Sequence, residues 1–226
     1  MLNTRRHFLK AATAGGIGLL APLGVAGIVN AAESISWFKN PLGIPPLEAG
    51  SLINGKRVIN LSLGYGTNAF LGDRPTATVG INGDYLGPVN RVNQGDEVEL
   101  KVTNNLSEPS TLHWHGLNLP VAMDGGPHQA INPGGAWNAA FKIYPAACTQ
   151  WYHSHIYHRT GIQVYFGLAG LSYIDDERSN ALDLPSTYGV DNIPLVLQDR
   201  SFSEDGSLRY LGSMHDRMMG QFVVVA

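Results

Sequence analysis

Glu97-Val98-Glu99-Leu100-Lys101-Val102-Thr103 alternates polar and apolar residues without a break. A period of two puts Val98, Leu100 and Val102 on one face of an extended strand, and the polar residues on the other. Such a strand packs one face on a core and turns the other to water, the pattern of antiparallel sheets. Outward from it, Lys56 to Gly66 alternates in part, with Val58, Ile59, Leu61 and Leu63 among polar neighbours. Ala136–Tyr144, Gln150–His155, Leu168–Ile174 and Pro194–Leu197 are further strand candidates. Turn signals separate them: Asn82-Gly83, Gly87-Pro88, Gly95-Asp96, Asp124-Gly125-Gly126-Pro127 and Asn132-Pro133-Gly134-Gly135. Short strands so punctuated predict an all-β sandwich or barrel.

Composition agrees. The 226 residues include 27 glycines and 13 prolines, which favours turns over long helices. Charged residues are only 15%, and the formal net charge of −3 argues against a nucleic-acid partner. A single cysteine excludes a disulfide framework within the chain.

The first residues read as an address. Arg5-Arg6-His7-Phe8-Leu9-Lys10 precedes an uncharged run from Ala11 to Val29, and small residues follow at Asn30-Ala31-Ala32. The paired arginines resemble a bacterial twin-arginine export signal. The run is nearly long enough for a membrane anchor. Five glycines and Pro22 make it weakly hydrophobic, so a cleaved signal over 1–31 is expected, without a stable membrane anchor. Its partner would be the twin-arginine translocase and its destination the periplasm. Removal leaves 12 basic against 18 acidic residues, because Arg5, Arg6 and Lys10 carry all the charge of the leader.

Of the eight histidines, four fall in two pairs, His113-Trp114-His115 and His153-Ser154-His155. Residues two apart on a strand share a face, so each pair can present two imidazoles side by side. If the two strands are neighbours, four imidazoles converge. Imidazole suits copper, zinc, iron or nickel, so the spacing does not name the metal.

The flanking residues do carry a resemblance. Leu86-Gly87-Pro88, Gly95-Asp96-Glu97-Val98, Asn104-Asn105-Leu106 and Thr111-Leu112-His113-Trp114-His115-Gly116-Leu117 resemble the first domain of multicopper oxidases of the laccase and cuprous-oxidase type. So do Asp124-Gly125-Gly126, Pro133-Gly134, Trp151-Tyr152-His153-Ser154-His155 and the stretch Gly161–Leu171. The resemblance covers about Leu52 to Asp199. It implies a Greek-key cupredoxin (plastocyanin-like) sandwich. It also implies copper as cofactor, with His113 on the type 2 ion and His115, His153 and His155 on the type 3 pair. The cluster in that family reduces dioxygen to water with electrons from a small reductant such as Cu(I) or a phenol. Asp124, eleven residues after His113, matches a family acid that helps deliver protons. It is equally a good turn residue before Gly125-Gly126, and both roles are compatible.

The chain departs from the family in one respect. The His-x-x-His-x-His and His-Cys-His motifs, which complete the cluster and form the type 1 site, are absent from this sequence. Cys148 has no histidine neighbour and reads as a small buried thiol. The expected organisation is therefore a signal (1–31), one cupredoxin domain (32–176), a linker (177–192) and the first strands of an incomplete second cupredoxin domain (193–226). On that expectation this polypeptide alone binds copper in part and does not turn over dioxygen. Two alternatives are a periplasmic copper-binding module and a non-catalytic relative of the cell-division type. The retained histidine pairs count against the second. His128 reads as a solvated turn residue, and His158 as either a neighbour of the site or an exposed loop residue. Met214, His215, Met218 and Met219 read as a flexible apolar segment or as soft ligands for Cu(I).

Overall fold

The computed structural model describes residues 42–211 and the backbone of Gln221–Val225. The expectations for the leader and for Met214–Met219 lie outside these residues. From Leu42 onward the chain forms one compact unit.

Two mixed sheets enclose the core. One has the order β1 (Leu47–Glu48), β5 (Val89–Asn93), β10 (Ala169–Asp175), β9 (Cys148–His153), β7 (His113–His115). The other has the order β2 (Ser51–Ile53), β3 (Lys56–Leu71), β6 (Glu97–Asn104), β8 (Ala136–Lys142), and β4 (Arg74–Ile81) pairs with the far half of β3. The decisive stretch of sequence is β6. Val98, Leu100 and Val102 are buried, and they meet Ile59, Leu61 and Leu63 of β3 and Phe141 of β8 in one cluster. Val92, Trp114, Tyr152 and Ile174 enter the same cluster from the opposing sheet. The all-β sandwich expected from the alternation is the fold found.

Strand connections are not simple hairpins throughout. β3 runs parallel to β6, and β5 runs parallel to β10. Parallel neighbours require crossovers between the sheets, as a Greek-key chain path supplies.

Several elements differ from the sequence expectation. β3 continues to Leu71, beyond Gly66, because β4 pairs with it from Leu63 to Leu71. The charged exit after β10 is a helical turn, α2 (Glu177–Asn180), and the expected linker therefore begins in a helix. Its cap is Asp176, which accepts the Ser179 N–H at 2.7 Å while Ser179 Oγ accepts from Asp176 N–H at 3.0 Å. A helix α1 (Thr160–Phe166) precedes β10, and its buried residues are Gln163 and Tyr165.

Residues beyond the sandwich pair separately. β11 (Val196–Arg200) and β12 (Gln221–Val225) form a two-stranded ribbon that joins neither main sheet.

Candidate metal centre

β7 lies antiparallel to β9, with His113 opposite His153, Trp114 opposite Tyr152 and His115 opposite Trp151. The period of two then sorts the six side chains. Trp114 and Tyr152 turn inward and are buried. His113, His115, Trp151 and His153 share the other face. Tyr152 anchors this arrangement: it is fully buried and its hydroxyl donates to the Pro88 carbonyl at 2.7 Å. Its ring lies so close to Gly170 on β10 that a Cβ there would overlap it.

The three imidazoles converge. The donor atoms of His113, His115 and His153 all lie within 4.8 Å of one another. His155 borders the group, with its ring centroid 5.2 Å from that of His113 and 5.7 Å from that of His153. It lies just past the end of β9, and its backbone N–H donates to Thr111 Oγ1 at 2.8 Å. That bond extends the alignment of the two histidine segments beyond the strands.

Partners on the far side of each ring set its orientation. His113 Nδ1 is 2.8 Å from the Asp124 carbonyl, and His153 Nδ1 is 2.8 Å from the Ser154 carbonyl. A carbonyl only accepts, so Nδ1 carries a proton in both rings. Burial lowers the pKa of His153 to about 4, and the neighbouring histidines push in the same direction against the Ser154 carbonyl. His153 is therefore neutral at pH 7 and available as a donor.

The donor set fits a first-row metal ion. His115 Nδ1 and His153 Nε2 stand 3.2 Å apart. Two nitrogens at 2.0–2.1 Å on one tetrahedral ion are separated by about 3.3 Å. In this state His115 Nδ1–H donates to His153 Nε2, and an ion that displaced that proton would find the two nitrogens at about the spacing of two ligands. His113 completes the group of three donors.

Asp124 backs His113 and stands outside the group of donor atoms. Its Oδ1 is 3.4 Å from His113 Nδ1, and its carbonyl makes the shorter contact. The loop reaches β7 this closely because of Gly125, whose φ is +70° and where a Cβ would overlap the Leu112 carbonyl. Gln129 holds the loop by accepting the Gly125 N–H at 2.6 Å.

Trp151 is half-exposed and stacks on His153, with centroids 3.9 Å apart and planes 22° apart. Its ring is 5.0 Å from that of His115, so it walls the pair of donors on one side. His128 is exposed, as the turn suggested. His158 is exposed too and packs on Tyr157 in the loop after His155, so the loop reading holds and no contact with the cluster is made. Cys148 corrects an expectation, because the thiol is exposed rather than buried. It is the first residue of β9, directly after the 145–147 loop, at the end of the ladder with β10. Thr111, the Ser154 carbonyl and Gln163 were not marked by any spacing in the sequence, since each acts through a fold-dependent hydrogen bond.

A β-sandwich that gathers histidines from two adjacent strand ends defines a metal-binding cupredoxin-type protein. The family model for multicopper oxidases matches residues 62–179, and the chain belongs to that family. It is 41% identical over 168 residues to the multicopper oxidase mco of Staphylococcus aureus, covering 74% of this chain and 37% of that protein. It is 36% identical over 209 residues to the cell division protein FtsP of Glaesserella parasuis, covering 91% of this chain and 41% of that protein. Among solved structures, the laccase-like multicopper oxidase CueO from Ochrobactrum sp. superposes with a TM-score of 0.74 at 39% identity, over 81% of this chain and 41% of that one. That enzyme is described as having oxidase activity towards lignin model compounds and lignosulfonate. This chain thus spans about two fifths of the length of such relatives.

Proposed function

We propose that His113, His115, His153 and His155 form one half of a copper cluster of the multicopper oxidase type, serving a protein that oxidises a small reductant at the expense of dioxygen. The observation that carries this reading is the convergence of three imidazoles, with His115 Nδ1 and His153 Nε2 only 3.2 Å apart. His115 and His153 would share one ion of the type 3 pair, His155 would reach the other, and His113 would hold the type 2 ion. Copper in such a cluster supplies the one-electron steps that reduce dioxygen to water.

The protein's own groups then have distinct tasks. The Asp124 and Ser154 carbonyls hold the Nδ1 protons of His113 and His153 and so would leave Nε2 of each ring to bind copper. The Asp124 carboxylate, 3.4 Å from His113 Nδ1, is placed to hold a proton at Oδ1 beside the site. Trp151 shields one side of the donors from water. Four imidazoles and no cysteine between histidines leave the type 1 site and part of the cluster unprovided within these 226 residues. The chain by itself is therefore proposed to bind copper without turning over dioxygen. A twin-arginine signal over 1–31 would deliver it to the periplasm, with 32–176 as the copper-bearing domain, 177–192 as linker and 193–226 as the start of a second domain.

The test is copper titration of the full chain, followed by metal analysis and tryptophan fluorescence. Bound copper is expected to quench Trp151, which stacks on His153. His115→Ala and His153→Ala are each expected to weaken binding at least tenfold. No absorption of the type 1 kind and no phenol oxidation should appear. A second reading is favoured by the extent of the match to FtsP, which reaches 91% of this chain against 74% for the mco oxidase. On that reading the fold is a structural module, and a chain that binds no copper would decide for it.

A further inference from the structure

Only three residues of β7 pair with β9. Such a short ladder is a weak way to fix the distance between two histidine pairs, so other ties must do it.

The strongest of them centres on Gln163 in α1. The side chain is 3% exposed, yet it makes every hydrogen bond a primary amide can make. Oε1 accepts from Ser110 Oγ at 2.8 Å and from Ser154 Oγ at 2.5 Å. Nε2 donates to Glu108 Oε1 at 3.0 Å and to the Pro109 carbonyl at 3.0 Å. A carboxylate and a proline carbonyl can only accept, so the amide has one possible orientation. Glu108 is held in turn by Arg159, at 3.0 Å from Nε and 2.6 Å from Nη2.

The position of this amide matters more than its bond count. Residues 108–111 lead directly into His113, and Ser154 lies between His153 and His155. Gln163 therefore binds both histidine segments at once. Ser154 also offers the carbonyl that orients His153. Removing the amide would take the shortest bonds from two fully enclosed hydroxyls, and would leave Ser110 Oγ only the longer contacts to the Thr111 carbonyl at 3.3 Å and to Ser154 Oγ at 3.4 Å.

We infer that Gln163 is a positioning residue for the histidine cluster: its amide clamps Ser154 to Ser110, and so fixes the separation of the two His-x-His pairs and the aim of His153. The inference rests on the copper reading only where copper is the probe.

The experiment uses the full chain and three variants: Gln163→Leu, Gln163→Glu, and Gln163→Glu combined with Glu108→Gln. Gln163→Leu removes all four bonds at similar volume. Gln163→Glu keeps both serine contacts but sets two carboxylates side by side. The double variant exchanges donor and acceptor with residue 108 and restores that contact, but leaves the Pro109 carbonyl facing a carboxylate oxygen. In the metal-free chain, nitrogen-detected NMR reads the His153 Nδ1 proton held on Ser154. It is expected to exchange slowly in the parent, rapidly in both single variants, and at an intermediate rate in the double variant. With Cu(II) as probe, the single variants are expected to bind at least tenfold more weakly, with a broadened nitrogen-coupled EPR spectrum, and the double variant to recover in part.

If Gln163→Leu lowers only the melting temperature and leaves both the imidazole proton and the EPR spectrum unchanged, the inference is wrong. Equal loss in the double and single Gln163→Glu variants would also overturn it, and that comparison stands if Gln163→Leu does not fold. A parent chain that takes up no copper would overturn the copper reading alone, because the imidazole proton still decides the role of Gln163.

Discussion

A single glycine controls how the Asp124 loop meets His113. Gly125 has a φ of +70°, and a Cβ there would strike the Leu112 carbonyl on the approach to β7. Gly125→Ala therefore faces both a left-handed backbone and a backbone clash. The loop would move off β7, and the Asp124 carbonyl would release His113 Nδ1. The expected result is a loss of about 1–3 kcal/mol of stability and copper binding about tenfold weaker or more. Thermal melts with and without copper would check it. Asp124→Asn leaves the carbonyl in place and removes only the carboxylate, so it should leave copper binding nearly unchanged. The two variants separate the backbone role of this residue from its proton-holding role. At this scale the sequence marked His113, His115, His153, His155 and Asp124 by type and spacing. It did not mark Thr111 or Gln163, whose value depends on what the fold sets opposite them.

The strands show which patterns survive folding. β6 was legible because Val98, Leu100 and Val102 fill its buried face as far as Asn104. β7 was legible only through its histidine spacing, since three residues carry too little alternation to read. α1 was hidden for a different reason: it buries Gln163 and Tyr165 rather than an apolar stripe. The register of β3 against β6 carries an electrostatic tie that can be tested. Arg57 on β3 donates to Asp96, in the turn before β6, at 2.7 Å, and Asn93 N–H donates to the same carboxylate oxygen at 3.0 Å. Partial burial pushes the Asp96 pKa up, but the Asn93 and Arg57 hydrogen bonds outweigh it and hold the carboxyl below its ordinary value. A lowered carboxyl pKa means that the unfolded chain binds the proton more readily. The stability so gained is complete above the unfolded value near 3.9 and is lost as the pH falls through the folded value. Asp96→Asn should thus cost about 1 kcal/mol at pH 7 and progressively less below about pH 4. Urea melts of both proteins across this range would show whether the curves converge in acid.

For the whole molecule, the segment after the sandwich is bound to it by buried polar contacts. Thr76 Oγ1 of β4 donates to the Gly206 carbonyl at 2.7 Å, and Thr76 is fully buried. Tyr165 of α1 accepts Ser201 N–H at 2.7 Å and donates to the Arg209 carbonyl at 3.0 Å. Residues 201–209 are thus fastened to the sandwich, although β11 and β12 pair only with each other. Thr76→Val keeps the shape and removes the donor, leaving the Gly206 carbonyl without it. It should weaken this attachment by about 1 kcal/mol or more. Limited proteolysis is expected to cut faster within 201–209, with cleavage of the 97–142 region unchanged.

The sequence by itself determined the sandwich, its main strands and the family, because alternation and paired histidine motifs are local and survive in one dimension. It also determined which side chains can serve as donors. The tertiary structure decided how they are arranged. Pairing of β7 with β9 put His113 opposite His153, and the Asp124 and Ser154 carbonyls chose the protonated nitrogen in each ring. Packing exposed Cys148 and buried Gln163. Each of these depends on partners distant along the chain. No local pattern can encode such contacts, since a carbonyl or an amide gains its role only from what the fold brings within 3 Å of it.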